Sequence, residues 1–125
     1  MEKIFADKAP AAIGPYSQAI RVGNLIYTSG QIPINPASGN IEAADIELQT
    51  EQVCKNLSAV LEAAGSSLDK VIKTTCFLSD MADFAAFNGI YAKHFISCPA
   101  RSCVAVKALP KGSLVEIEAI AEAVN

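Results

Sequence analysis

Residues 70–95, KVIKTTCFLSDMADFAAFNGIYAKHF, hold the clearest structural signal, because a strand pattern runs directly into a helix pattern. Residues 70–78 are rich in β-branched and apolar side chains, which predicts a strand. Residues 81–95 predict a helix, because aromatic side chains recur at helical spacing at Phe84, Phe87, Tyr91 and Phe95. Asp80 is a candidate cap for this helix. Gly89 costs a helix roughly 1 kcal/mol relative to alanine, so we expect a neighbour to pack closely against it.

The segments before this stretch predict a hairpin, a loop and a first helix. Apolar runs on either side of a Gly-Asn pair predict a hairpin over residues 18–29, and the prolines of residues 31–43 predict a loop. Residues 46–64 repeat apolar side chains at spacings of three, four and seven, which is typical of one helix face. Asp45 is a candidate N-cap for that helix, and Gly65 is a candidate residue for its C-terminal stop.

The last part of the chain predicts two further strands, residues 101–108 and 114–121, joined by a turn that contains Pro110 and Gly112. This order of elements predicts an α+β domain over residues 1–125, with both helices on one face of a sheet. The other face of the sheet would carry leftover apolar surface. An apolar patch on the order of hundreds of Å² usually marks association, so we expect a homo-oligomer.

The composition argues against several classes of function. The 125 residues carry 13 acidic and 10 basic side chains and a net charge of −3, which does not favour a general affinity for nucleic acid or anionic membranes. No run of about 18 apolar residues could span a bilayer. The first residues lack the apolar segment of a secretory signal, so the expected location is the cytoplasm. Four cysteines without a CxxC pair are expected to be reduced thiols, and with a single histidine we expect no metal site.

Residues 99–103, PARSC, offer two kinds of chemistry just before an apolar run. Cys103 is either a nucleophile or a small buried strand residue, and a nucleophile needs a lowered pKa or an adjacent base. Arg101 follows a bend fixed by Pro99. Its planar guanidinium can bind a carboxylate or phosphate through two hydrogen bonds, or it can be a solvated arginine at a strand end. Position alone favours the solvated arginine.

Glu116 and Glu118 point to the same face of the last predicted strand, together with Leu114 and Ile120. Partial burial of one of the two glutamates is therefore one of two interpretations. Burial would raise its pKa and suit it to proton transfer. A solvated polar face is the simpler interpretation, and the sequence alone favours it.

The sequence leaves open whether Arg101 and Glu116 share a face. If Ala108 pairs with Leu114 across the turn, the two charges lie on opposite faces of the sheet. If Leu109 pairs with Leu114, they lie on the same face, because a slip of one residue reverses every side chain. Residues on opposite faces could still meet across a subunit interface.

Five segments together resemble the Rid family, also called YjgF or L-PSP proteins, along nearly the whole chain. They are IGPYSQA (13–19), TSGQIP (28–33), DFAAFNGIY (83–91), PARSC (99–103) and LPKGSLVEIEAIA (109–121). The likeness is greatest to the RidA branch, the 2-iminobutanoate/2-iminopropanoate deaminases. The resemblance implies a fold like that of chorismate mutase, with a mixed sheet backed by two helices. It also implies a homotrimer with a central barrel and with clefts between neighbouring subunits.

The resemblance further implies an enamine/imine deaminase, which hydrolyses reactive 2-imino acids such as 2-iminopropanoate to 2-oxo acids and ammonia. The carboxylate-binding arginine of the family falls on Arg101, and its water-positioning glutamate falls on Glu116. The other substrate-binding residues of the cleft fall on Tyr16, Ser29, Gly30, Asn88 and Cys103. This mechanism needs no metal and no organic cofactor, because the substrate is already electrophilic and positioning could suffice.

Two other functions remain open for such a chain. The family carries labels as a translation inhibitor and a single-strand endoribonuclease. The acidic balance, the single histidine and the lack of interleaved aromatic and basic residues argue against that activity here. The third interpretation is a non-catalytic regulatory module that binds a small oxo acid. Turnover of an imine would separate all three functions.

Overall fold

The structure, a computed structural model, describes residues 1–124 and is built around a six-stranded mixed sheet. The sheet contains β1 (Glu2–Ile4), β2 (Ala19–Val22), β3 (Leu25–Thr28), β6 (Val71–Leu78), β7 (Ala100–Ala105) and β8 (Val115–Glu122), and a separate antiparallel pair is formed by β4 (Ile34–Asn35) and β5 (Asn40–Ile41). The spatial order of the main sheet is β1-β2-β3-β8-β6-β7. The predicted hairpin is confirmed as β2 and β3, and the predicted loop contains the small β4–β5 pair.

The first helix, α1 (Ile46–Ala63), has the caps that the sequence predicts. The Asp45 carboxylate accepts a hydrogen bond from the backbone N–H of Leu48 at 2.8 Å, which satisfies one of the free donors of the first turn. Gly65 follows the helix with a φ of 84°, a conformation that favours glycine. The buried face of α1 packs on β8 and β3, and its largest fully buried side chains are Val53, Leu57, Val60 and Leu61.

The second helix, α2 (Phe84–His94), starts later than the sequence predicts. Residues Met81–Asp83 form a short 3-10 turn instead, and Asp80 caps that turn by accepting a hydrogen bond from the Ala82 N–H at 2.9 Å. The aromatic side chains at Phe87, Tyr91 and Phe95 are buried as expected. The prediction for Gly89 is wrong for the described residues, because nothing lies within 4 Å of the position of a Cβ there.

The predicted pairing of the last two strands is also wrong, because β6 lies between β7 and β8. β8 pairs with β6 in antiparallel fashion, and β7 pairs with β6 in parallel. Neither of the two registers considered for Ala108, Leu109 and Leu114 occurs. The physical reason is that β6, α2 and β7 form a strand–helix–strand unit, whose crossover returns the chain parallel to its first strand.

The register assigns the side chains of the sheet to two faces. One face carries the core residues Thr74, Cys76, Ile117 and Ala119, and it is covered by both helices. The opposite face, here called the open face, has no element of residues 1–124 packed on it. It carries apolar side chains that are half-buried or exposed, namely Ile20, Val22, Tyr27, Phe77, Val104 and Ile120, in addition to Glu116 and Glu118. The predicted leftover apolar surface is therefore present. Neither helix among these residues is long and apolar enough to cross a bilayer.

Candidate active site

A cavity of about 590 Å³, here called the glutamate pocket, opens beside the start of β8. It brings together four of the seven residues that the sequence assigns to the site: Tyr16, Ser29, Gly30 and Glu116. Most of the remaining wall is apolar, and the complete lining is Pro10, Ala11, Ile13, Tyr16, Gln18, Ser29, Gly30, Gln31, Ile32, Ile34, Pro110, Lys111 and Glu116. Ile13 is 83% exposed although it is apolar, so no part of residues 1–124 covers this side of the pocket.

Glu116 is the half-buried member of the predicted pair of glutamates, and Glu118 is exposed. Burial of the Glu116 carboxyl raises its pKa, and the nearby charge of Glu118 raises it further. No lysine, arginine or histidine of residues 1–124 forms an ion pair with Glu116. The carboxylate is therefore a stronger base than an exposed glutamate, and no cation among residues 1–124 is paired with it.

Gly30 lies directly against the side chain of Glu116. A Cβ at position 30 would collide with Oε2 of Glu116, so only glycine leaves room for the carboxylate in this position. The segment is held in place because Gln31 and Ile117 exchange two backbone hydrogen bonds, at 2.8 and 3.1 Å. The hydroxyl of Ser29 donates to the carbonyl oxygen of Ser17 at 2.6 Å, which fixes the neighbouring wall.

Two buried amides, which sequence reasoning missed, position the apolar walls of the glutamate pocket. Gln18 accepts a hydrogen bond from the Ala6 N–H at 2.7 Å and donates to the carbonyl oxygen of Pro10 at 2.8 Å. Asn56 on α1 donates from Nδ2 to the carbonyl oxygens of Ile32 and Ile34, at 3.1 and 2.9 Å. The only signal in the sequence is a polar residue inside an apolar pattern, and that signal does not say which loop the amide will hold.

A second cavity, here called the arginine pocket, lies at the C-terminal end of α2 and the start of β7. Its lining is Asn88, Tyr91, Ala92, Phe95, Ile96, Cys98, Pro99 and Arg101. The guanidinium of Arg101 donates from Nη1 to Oδ1 of Asn88 at 2.8 Å. Asn88, which was expected to bind substrate, therefore uses its amide oxygen to orient the arginine, and its Nδ2 group is still a donor.

Three aromatic rings, here called the aromatic cage, surround the Arg101 guanidinium. The ring centroids of Tyr91, Phe84 and Phe87 lie 4.8, 5.6 and 5.9 Å from its central carbon. A cation over an aromatic face at these distances is attracted by the electron-rich face of the ring. No carboxylate of residues 1–124 forms an ion pair with Arg101. The guanidinium is thus held firmly but not neutralised, unlike the solvated arginine that position alone favours.

Cys103 lies on β7 beside Cys76, on the face of the sheet that the helices cover. Burial raises the pKa of its thiol, although the charge of Arg101 acts in the opposite direction. The only imidazole, His94, is hydrogen-bonded to Glu51 at 2.9 Å and lines neither the glutamate pocket nor the arginine pocket. These observations favour the interpretation of Cys103 as a half-buried strand residue and give it no activating base.

The two pockets lie on opposite faces of the sheet within one chain. Arg101 is in register with Thr74 and points with it toward the helices, whereas Glu116 is in register with Phe77 on the open face. A single chain therefore presents two separate pockets, one beside Glu116 and one beside Arg101, that do not meet. Within residues 1–124, no three His, Cys, Asp or Glu side chains come together in a way that could hold a metal ion.

The structure thus shows a small α+β protein with a half-buried arginine, unpaired within residues 1–124, on the helix-covered face of its sheet and a half-buried carboxylate on the open face. The chain belongs to the L-PSP family, also called the YjgF, RutC or Rid family, because the family model described as Endoribonuclease L-PSP matches residues 6–123. A RutC family protein of Pyrococcus horikoshii is 56% identical over 121 residues, which cover 96% of each chain.

Two solved structures show the same likeness at the level of the fold. The crystal structure of E. coli TdcF with bound serine is 42% identical, with a TM-score of 0.94, and the match covers 99% of this chain and 100% of that one. RidA from the Antarctic bacterium Psychrobacter sp. is 45% identical, with a TM-score of 0.93, and the match covers 98% and 99% of the two chains. The mixed α+β architecture with two helices on one sheet face is therefore that of known L-PSP family structures.

Proposed function

We propose that this protein is an enamine/imine deaminase of the RidA type, which hydrolyses small 2-imino acids to 2-oxo acids and ammonia. The observation that carries the proposal is the Glu116 carboxylate, which is half-buried, fits against Gly30 and has no counter-cation within residues 1–124. Such a group is suited to accept a proton from water, because burial raises its pKa and makes it a stronger base than an exposed glutamate. The proposed location of the reaction is the cytoplasm.

The proposed site is shared between two subunits of a homotrimer. Arg101 and Glu116 lie on opposite faces of one sheet, so one chain cannot apply both groups to one small molecule. The open face carries exposed apolar side chains, including Val22 and Tyr27, that association would bury. In the proposed trimer these faces line a central barrel, and the arginine pocket of one subunit lies against the glutamate pocket of the next.

The proposed reaction follows from the roles of the two charged groups. Arg101 binds the substrate carboxylate through two parallel hydrogen bonds from its planar edge. Glu116 holds a water molecule and accepts its proton while the oxygen forms a bond to the imine carbon. Glu116 returns that proton to the nitrogen, which gives a tetrahedral intermediate with one hydroxyl and one amino group. The C–N bond then breaks while the hydroxyl proton passes to the nitrogen, so that ammonia leaves and the 2-oxo acid remains. Five further residues are proposed to line the cleft around the substrate, namely Tyr16, Ser29, Gly30, Asn88 and Cys103.

A coupled assay tests the proposed activity. A pyridoxal-phosphate dehydratase acting on threonine generates 2-iminobutanoate, and the release of 2-oxobutanoate is followed with and without this protein at equal dehydratase activity. We expect faster release with the wild-type chain and no acceleration with Glu116→Gln. A single-stranded RNA substrate in a parallel reaction tests the endoribonuclease alternative. RNA cleavage without imine turnover would overturn the proposal.

Subunit complementation tests the shared site. Glu116→Gln and Arg101→Lys chains are co-expressed in equal amounts, so that mixed trimers form. If each site takes Arg101 from one chain and Glu116 from its neighbour, about a quarter of the sites are intact and activity returns to about that fraction. If both groups of a site came from the same chain, every site would remain defective. Light scattering at micromolar concentration checks the mass, and a fully active 13.1 kDa monomer would contradict the shared site.

The regulatory-module alternative is supported by one finding. The E. coli TdcF relative holds a serine, and binding of a small amino acid does not by itself require turnover. The coupled assay distinguishes the two functions, because a binding module would take up 2-oxobutanoate without accelerating its formation. Saturable binding together with no effect on imine hydrolysis would favour the module.

A further inference from the structure

We propose that Tyr91 is a positioning residue for Arg101, whose ring holds the guanidinium in the orientation that binds a carboxylate ligand. This inference rests on the proposed function, because it takes Arg101 to be the carboxylate-binding group. It assigns a role to a residue that the candidate substrate-binding set does not contain. Tyr91 is nearly fully buried and acts through the arginine.

The geometry of the aromatic cage leaves the hydrogen-bonding edge of Arg101 to a ligand. Tyr91 is the nearest of the three rings, at 4.8 Å from the guanidinium carbon. Aromatic contacts use the flat faces of a guanidinium, whereas hydrogen bonds to a carboxylate use its edge. Within residues 1–124, the only hydrogen bond from the Arg101 side chain is the one to Oδ1 of Asn88. The remaining N–H groups are donors for an anion.

Tyr91 is itself fixed from two sides, so that its ring can serve as a rigid support. Its hydroxyl forms a hydrogen bond of 2.7 Å with Oγ1 of Thr74, which is fully buried on β6 directly beside Arg101 in the register. Its ring stacks on Phe95 with 4.3 Å between centroids and 21° between planes. Burial raises the pKa of the Tyr91 phenol, so the hydroxyl keeps its proton near neutral pH.

A long arginine side chain normally samples many rotamers, and a ligand must restrict them when it binds. The bridge from Thr74 through Tyr91 ties the arginine to the sheet, and Asn88 ties it to α2. Preorganisation of this kind lowers the dissociation constant without adding a contact to the ligand. Loss of the Tyr91 ring should therefore weaken carboxylate binding more than it slows the chemical step.

The test uses binding of 2-oxobutanoate to the full chain, measured by calorimetry, together with KM and kcat in the imine assay. Tyr91→Leu removes the aromatic face, and we expect Kd and KM to rise about tenfold while kcat falls much less. Tyr91→Phe keeps the face and loses the hydroxyl, so it should bind within about threefold of wild type. Val53→Ala is the matched control, because it destabilises the core on α1 and leaves all three rings of the aromatic cage in place. Its Kd should be unchanged.

The result that overturns the proposal is a folded Tyr91→Leu protein with wild-type Kd and KM. An equal loss of binding in Val53→Ala would also overturn it, because the effect would then come from lower stability. If melting curves show that Tyr91→Leu does not fold, Phe84→Leu replaces it, since Phe84 is a less buried member of the cage, and we expect Kd to rise about threefold. Binding without imine turnover would refute the deaminase and leave this inference standing, and a wild type that binds no carboxylate would overturn both.

Discussion

The arginine pocket and the glutamate pocket hold their charged groups by different physical means. Arg101 is held by contacts, namely the aromatic cage and the Asn88 amide, on a helix and a strand. Glu116 instead fits into a space that Gly30 leaves open, and its surroundings shield it partly from water. Contacts with flat aromatic faces orient a cation without neutralising its charge. Burial of a carboxylate instead raises its pKa and makes it a stronger base.

The largest expected effect lies in the glutamate pocket. Glu116→Gln keeps the shape of the side chain and removes the base, so kcat should fall about 10²–10⁴-fold in the coupled assay. The same variant should melt at or above the wild-type temperature at pH 7. Because the pKa of Glu116 is raised in the folded state, its protonated form stabilises the fold at low pH, and this stability is lost as the pH rises through that pKa. Glutamine stays neutral at every pH, so the variant does not lose this stability at pH 7. Wild-type turnover in the variant would show that the glutamate is structural.

The next effect tests whether the arginine pocket needs a geometry or only a charge. Arg101→Lys keeps the positive charge but offers neither the planar edge nor the flat faces that stack in the cage. We expect kcat/KM to fall about a hundredfold, mostly through KM, because charge-assisted hydrogen bonds of about 1.5–3 kcal/mol are lost. Steady-state kinetics at several imine concentrations measure the split. A value within threefold of wild type would mean that charge alone is sufficient and that the cage is incidental.

The fold was predictable where local patterns decide it, and less so where long-range pairing does. The caps of α1 at Asp45 and Gly65 follow from local chemistry and are confirmed. The partners of β7 and β8 were predicted wrongly, because a short connection with Pro110 and Gly112 resembles a hairpin turn. The strand–helix–strand order of residues 71–105 would have predicted a parallel pair.

The candidate site was predictable as residue types but not as a geometry. Alternation along β8 left partial burial of one glutamate open but favoured a solvated face, and the structure shows Glu116 half-buried and Glu118 exposed. The aromatic cage could not be predicted, because Phe84, Phe87 and Tyr91 read as one core-facing helix stripe. Only the crossover from α2 to β7 brings Arg101 beside that stripe. Expected roles in substrate binding remain predictions.

A glycine substitution sharpens the claim that space controls Glu116. Gly30→Ala places a methyl group where Oε2 of Glu116 lies, so the carboxylate must move, and kcat should fall about tenfold. The matched control is Gly89→Ala, the same chemical change in a helix with nothing within 4 Å. The control should be more stable, with a free energy of unfolding that is larger by roughly 0.5–1 kcal/mol, and its kcat should change little. Equal kinetic losses in both variants would contradict the role of Gly30.

A smaller effect tests the electrostatic part of the same pocket. The acid side of the kcat/KM profile should report the protonation of Glu116, so activity falls as the pH is lowered through its raised pKa. Glu118→Gln removes the like charge that is the second cause of this shift, and the acid side should move to lower pH. It should not reach the position of an exposed carboxyl, because burial is the first cause. An unchanged profile would show that the pKa seen on the acid side does not belong to Glu116.

The smallest expected effect concerns Cys103, which lies on the same strand as Arg101 but does not line the arginine pocket. Cys103→Ala should keep kcat within about threefold of wild type, because a thiol with a raised pKa is mostly protonated near pH 7 and is a weak nucleophile. The side chain is half-buried beside Cys76, so its truncation lowers stability, and the melting temperature must be measured before rates are compared.

The result for Cys103→Ala is most informative when it is compared with that for Arg101→Lys. If Cys103→Ala is folded and inactive while Arg101→Lys is nearly normal, the reaction passes through a covalent bond to sulfur. Neither the proposed water at Glu116 nor the proposed carboxylate binding by Arg101 would then be the source of catalysis.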